Sequence, residues 1–74
     1  MQLYANRGGS SPITAYEIGK NSITVFFAEG GGYVYDVKST GRAHIAAMQR
    51  LAAEGAGLAA YISQHIRQRY ARKL

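Results

Sequence analysis

The sequence predicts an α+β fold, with a three-stranded antiparallel meander followed by a two-helix hairpin, in two layers and the order β-β-β-α-α. Three observations predict it. Between residues 13 and 37 apolar and polar residues alternate with a period of two, the spacing of half-buried strands. From residue 42 onward the apolar positions fall at helical spacing. Glycine-bearing breaks at 19–21, 30–32 and 55–57 separate the runs. A sheet with one apolar face needs a cover, and two amphipathic helices provide one.

Residues 1–12 read as a flexible lead-in or an edge segment, because Arg7-Gly8-Gly9-Ser10-Ser11-Pro12 is punctuated by chain-breaking residues. Leu3 and Tyr4 are the residues there that have a reason to dock on the body. Residues 13–74 form the single domain. Its first strand runs from Ile13 to Ile18, and Gly19-Lys20-Asn21 turns the chain. The clearest strand covers residues 22–28, with Ile23, Val25 and Phe27 on one face and Ser22, Thr24 and Phe26 on the other. Glu29-Gly30-Gly31-Gly32 forms a hairpin loop, and residues 33–37 return beside the second strand.

Ser39 or Thr40 is placed to cap the first helix, since a hydroxyl there accepts a bond from an orphan helix N–H. Ile45, Met48, Leu51 and Ala52 form its apolar stripe. Gly55-Ala56-Gly57 ends it. The second helix is expected over residues 58–72, with Leu58, Tyr61, Ile62, Ile66 (or His65) and Tyr70 facing inward. Arg67, Arg69, Arg72 and Lys73 then crowd its C-terminal end, where cations suit the macrodipole.

Composition narrows the function classes. A chain of 74 residues buries a modest core and leaves little volume for a deep cofactor pocket. It contains no cysteine, so disulfides, thiolate metal sites and a cysteine nucleophile are excluded. Its N-terminus lacks the features of a signal peptide and no apolar run approaches the ~20 residues of a membrane span, so a cytoplasmic protein is expected. Nine Lys and Arg against four Asp and Glu give a net charge of +5, which favours phosphate-rich or acidic partners. Basic charge also serves plain solubility.

Catalytic candidates are His44, His65, Glu17, Glu29, Asp36 and Glu54. His44 and His65 stand on different helices, without a second histidine at ligand spacing, and no serine sits in a nucleophile-elbow pattern. The expectation is therefore no enzyme, no cofactor and no metal. The glycine triplet joins two strands, not a strand and a helix N-terminus, so it reads as a hairpin loop more than a phosphate cradle.

Tyr33-Val34-Tyr35 is the most distinctive motif. Its two tyrosines share one sheet face. On an open face they form a stacking platform for unpaired bases. On the helix-covered face they are core, with hydroxyls reaching the rim; aromatic burial tendencies favour the second. The basic stretch 64–73 carries arginines among amides and a tyrosine, which suits phosphate and base contacts. Arg42, Arg50 and Lys38 are placed to extend that patch if the helices pack accordingly.

These motifs together resemble the KTSC domain, named for its occurrence at the C-terminus of some lysyl-tRNA synthetases and also found as a stand-alone bacterial protein. The family's central tyrosine-any-tyrosine motif is matched by Tyr33-Val34-Tyr35, its leading serine pair by Ser10-Ser11, and its preceding strand by Ile23-Thr24-Val25-Phe26-Phe27. Val37 matches the hydrophobic position after the motif, and His65-Ile66-Arg67-Gln68-Arg69-Tyr70 is similar to the family's C-terminal helix. The resemblance spans residues 10–70; Ser63 stands where the family usually has asparagine. It implies a small module for which RNA binding is the usual conjecture.

Two functions follow as expectations. The first is a non-catalytic RNA- or single-strand-binding module, with Tyr33 and Tyr35 stacking bases and Arg67, Arg69, Arg72 and Lys73 meeting phosphate. The second is a small accessory or inhibitor protein, of phage or plasmid type, that binds another protein's acidic surface. No membrane partner is expected, and the chain is read as a monomer or homodimer.

Overall fold

The computed structural model describes residues 1–9 and 11–74; Ser10, the first of the serine pair, lies outside the described residues. The α+β class is as expected, but the sheet has five antiparallel strands in the order β1-β2-β3-β4-β5. They are β1 (Gln2–Leu3), β2 (Ile13–Ile18), β3 (Ser22–Phe27), β4 (Gly31–Asp36) and β5 (Arg72–Lys73). Between β4 and β5 lie α1 (Val37–Thr40), α2 (Arg42–Glu54), α3 (Leu58–Tyr61) and a π-helical turn (Ile62–Ile66).

The central hairpin follows the alternation. Ile23 pairs with Tyr35 and Val25 with Tyr33, so all four share one face with Phe27. That face meets the helices. Ile23, Val25 and Tyr35 are buried together with Ile45, Met48 and Ala52 of α2, Leu58 of α3, and Ile62 and Ile66 of the π turn. Each large side chain buried this way stabilises the fold by about 1.5–3 kcal/mol. The other face, carrying Thr24, Phe26 and Val34, stays half-exposed, and none of its side chains belongs to the core shared with the helices. Gln49 of α2 ties the layers, donating its amide to the Ser22 carbonyl at 2.9 Å.

Two strands add to the expected three, β1 in the segment read as a flexible lead-in or an edge segment and β5 where helix is expected. The lead-in supplies β1, because Gln2 and Leu3 pair with Tyr16 and Ala15 along the edge of β2. Tyr4 then turns into the core, where its hydroxyl accepts the orphan N–H of Leu58 at the start of α3, at 3.3 Å. At the other edge, β5 corrects the expected helix over 58–72. After Tyr61 the bonding widens: the Arg67 N–H reaches back to the Ile62 carbonyl at 2.6 Å. Arg67 itself takes φ 54° and ψ −114°, a conformation no helix continues through. The chain then lies along the bare edge of β4, with the Ala71 N–H on the Val34 carbonyl at 2.6 Å and the Leu74 N–H on that of Gly32 at 2.8 Å. An unpaired strand edge offers a row of strong partners, and here that row outcompetes two more turns of helix.

The helix start also differs from expectation. Asp36, not Ser39 or Thr40, caps the helical region, accepting the Ser39 N–H at 2.7 Å while the Ser39 hydroxyl serves the Asp36 N–H. Hydrogen bonding from Ser39, its backbone N–H first and its side chain second, holds the Asp36 carboxyl below the usual carboxylate range. Gly41 at φ 109° then separates α1 from α2. Among the described residues no helix is long and apolar enough to cross a membrane.

Candidate functional site

At one end of the core the sheet and the C-terminal segment part to leave a groove of about 280 Å³. The sheet contributes Phe27, Tyr33 and Tyr35, all on the helix-side face, and Glu29 stands at the hairpin between β3 and β4. The opposite wall is Ile62 of the π turn, then Arg67, Gln68 and Tyr70. A second depression of about 300 Å³, under the lead-in and α3, is lined by Tyr4, Asn6, Ser11, Pro12 and several alanines and glycines, without any charged side chain. A third, of about 110 Å³, carries Lys20 and Arg42 but no aromatic ring, so among the described residues the first is the one that joins aromatic rings to charged side chains.

Aromatic rings build the floor. Tyr33 meets the edge of Phe27 at 5.6 Å between centroids, and Tyr70 leans over it at 4.8 Å. Tyr35 meets Tyr70 edge-on at 6.3 Å. Rings in these T-shaped and tilted arrangements hold one another in place, so the floor is preorganised. Only 2 % of Tyr35 is exposed; it belongs to the core, and its hydroxyl side reaches the groove. Burial, followed by the nearby phenols of Tyr33 and Tyr70, pushes its pKa up to about 12. Tyr33 is half-buried and lines the groove.

The cations separate. Lys73 is the cross-strand partner of Tyr33, and its ammonium sits 5.7 Å from the ring centroid, within cation–π range. Arg67 lines the opposite wall. Arg72 pairs with Val34 instead, which puts it on the half-exposed sheet face, away from the groove. Arg69 does not line the groove; its carbonyl accepts the buried Thr40 hydroxyl at 2.7 Å. Of the extended patch, Arg50 is spent on a surface pair with Glu54 at 3.6 Å, and neither Lys38 nor Arg42 lines the groove. The structure thus sets Tyr33, Tyr35 and Arg67 of the six expected site residues in the groove, places Lys73 beside the Tyr33 ring, and leaves Arg69 and Arg72 elsewhere.

The six expected site residues omit Phe27, Glu29, Gln68 and Tyr70, although Gln68 and Tyr70 stand in the basic stretch 64–73 and Glu29 is among the catalytic candidates. In the sequence Tyr70 reads both as the tyrosine of the basic stretch 64–73 and as an inward helical position, because a helix through 72 keeps it on the stripe of Leu58 and Ile62. The reversal at Arg67 carries it over Tyr33. A second constellation was also missed. His44 on α2 lies 2.7 Å from the Tyr61 hydroxyl, and the His65 ring stands 4.8 Å from the Tyr61 ring and 6.4 Å from that of His44. The spacing of Tyr61 and His65, one helical turn apart, was a readable signal for that pair. Among the described residues no group of three or more metal-ligating side chains assembles.

Two features mark the groove wall as more than a crevice. π turns recur at functional sites, and Arg67 holds a backbone conformation that costs a non-glycine residue of order 1–3 kcal/mol. Among the described residues, moreover, the carboxylate of Glu29, the guanidinium of Arg67 and the amide of Gln68 make no side-chain hydrogen bond or ion pair within the protein. An acceptor, a donor fork and an amide are therefore free at the rim of an aromatic floor. Compared with family models, curated proteins and solved structures, the chain matches none of them.

Proposed function

We propose that this chain is a small binding module for single-stranded nucleic acid, RNA foremost, and not an enzyme. The carrying observation is the groove, where the rings of Tyr33 and Tyr70 meet, with Arg67 on its wall and Lys73 beside the Tyr33 ring. Every unpaired base has a π face, and stacking on an aromatic side chain contributes ~1–3 kcal/mol per base. The groove is too small for a duplex and of a size for one nucleotide. Lys73 has a flexible stem, so its ammonium moves from the Tyr33 ring to a phosphate when a base takes the ring face. Arg67 offers a planar fork to the neighbouring phosphate.

The reading revises the stacking pair. Tyr33 and Tyr70 do the work assigned to Tyr33 and Tyr35, because Tyr35 is core. Kinship with the KTSC domain, proposed on the tyrosine motif, agrees with an RNA-directed role, and a cytoplasmic setting suits a chain without cysteine.

Labelled single-stranded RNA, single-stranded DNA and duplex DNA octamers, titrated at low and near-physiological salt, test the reading. Single strands are expected to bind, with affinity falling as salt rises. Arg67→Ala and Lys73→Ala each lower the slope of log K against log salt by about 0.7. Tyr33→Leu weakens binding about tenfold without changing that slope. Binding no better than that of a featureless polyanion at low salt overturns the proposal.

A second reading rests on the other sheet face, where the half-exposed Phe26 and Val34 lie beside Arg72. That surface suits an accessory or inhibitor protein docking on an acidic partner. Arg72→Glu separates the two, since it abolishes such docking and leaves the groove's own contacts in place.

A further inference from the structure

We infer that the groove selects guanine, and that Glu29 is the residue that reads it; the inference rests on the nucleic-acid reading above. The chain has four acids. Glu17 pairs with the N-terminal ammonium, Glu54 with Arg50, and Asp36 caps a helix. Glu29 alone lines the groove, and the described residues give it no ion pair. A carboxylate at the mouth of a phosphate-binding groove opposes the ligand's charge, so its favourable use there is with the ligand's uncharged donors.

Position supports this. Glu29 opens the turn of Gly30 and Gly31, both at positive φ, and a side chain added at Gly30 would come to 4.0 Å from the Tyr33 hydroxyl. The long axis of the Tyr33 ring therefore points at the Glu29 end of the groove. A base lying on that ring, with its phosphates drawn to Arg67 and Lys73, turns its outer edge to the carboxylate. An ionised carboxylate only accepts hydrogen bonds. On its Watson–Crick edge guanine offers two adjacent donors, N1–H and the N2 amino group, which match the two carboxylate oxygens. Cytosine and adenine offer one amino group, and uracil offers only a single ring N–H flanked by carbonyls that a carboxylate repels. Gln68, on the facing wall, can donate its amide to guanine O6.

The test uses uridine octamers with one central guanine, inosine or uracil, bound to the wild type and to Glu29→Gln. A good bidentate contact predicts roughly tenfold tighter binding of the guanine octamer than of the uridine octamer, with inosine between because it keeps N1–H and lacks the amino group. Glu29→Gln should bring the guanine-to-uracil ratio to within about twofold. Equal binding of the three octamers by the wild type, or a guanine preference that survives in Glu29→Gln, overturns the inference while leaving single-strand binding intact. If no octamer binds, the parent reading falls and this one falls with it.

Discussion

The Thr40 hydroxyl donates to the Arg69 carbonyl at 2.7 Å, joining the first helical turn after the sheet to the segment that walls the groove. Thr40 is almost fully buried. The bond spans 29 residues of sequence and is one of few side-chain ties between the helical region and the C-terminal return. Thr40→Val keeps the shape and leaves the Arg69 carbonyl without that partner. The expected loss is ~1–2 kcal/mol in urea unfolding. Because the tie holds the groove wall, tryptic cleavage after Arg67 and Arg69 should also accelerate in the folded variant, which limited proteolysis reads directly.

Tyr33 and Tyr35 should separate cleanly under mutation. Tyr35→Ala empties a site at the centre of the core and is expected to cost ~3–5 kcal/mol, enough to unfold much of a domain this small. Tyr33→Leu retains bulk on a half-buried position and should cost less than ~1.5 kcal/mol. Thermal denaturation by circular dichroism checks both. Equal losses would mean that the two tyrosines share one environment, contrary to the register.

Alkaline pH should expose Tyr35. Its folded pKa stands at about 12, above its ordinary value of 10.0, because burial disfavours the phenolate. Below pH 10 the phenol is protonated in both states and the stabilising difference is fully present. As pH rises from about 10 to about 12 the unfolded chain loses this proton while the folded chain keeps it, so stability falls across that window. Absorbance at 295 nm should show one phenol titrating late. Tyr35→Phe should remove that phase and flatten the decline.

Gly55 should resist substitution. It ends α2 in the left-handed conformation at φ 77°, with its N–H on the carbonyls of Leu51 and Ala52. A Cβ there would overlap the Ala5 side chain, and the Gly55 carbonyl accepts the Arg7 N–H at 2.8 Å. Gly55→Ala therefore strains the cap and pushes away the lead-in. The expected cost exceeds ~1 kcal/mol. Amide exchange should report faster opening of Tyr4 and of the first residues of α3 in that variant.

The local pattern of this chain was legible where burial follows a regular period. Ile23, Val25 and Phe27 alternate because one sheet face is covered, and Ile45, Met48 and Ala52 recur because one helix face is covered. The class of the fold and the basic character of the C-terminal stretch follow from such counting. So does the pairing of Tyr33 and Tyr35 on one face, although not which face.

Tertiary structure decided the rest. Residues 67–74 have helical propensity, and nothing local tells them to leave the helix. They leave it because β4 has a free edge, and an edge exists only once the sheet has formed. The same event sends Lys73 to Tyr33 and Arg72 to the opposite face, since adjacent residues of a strand point in opposite directions. It lays Tyr70 over Tyr33 and brings Arg67 across from Glu29. The sequence alone determined which residues are apolar, cationic or aromatic and where the period changes. The groove is a product of one long-range strand pairing, and no local period encodes it.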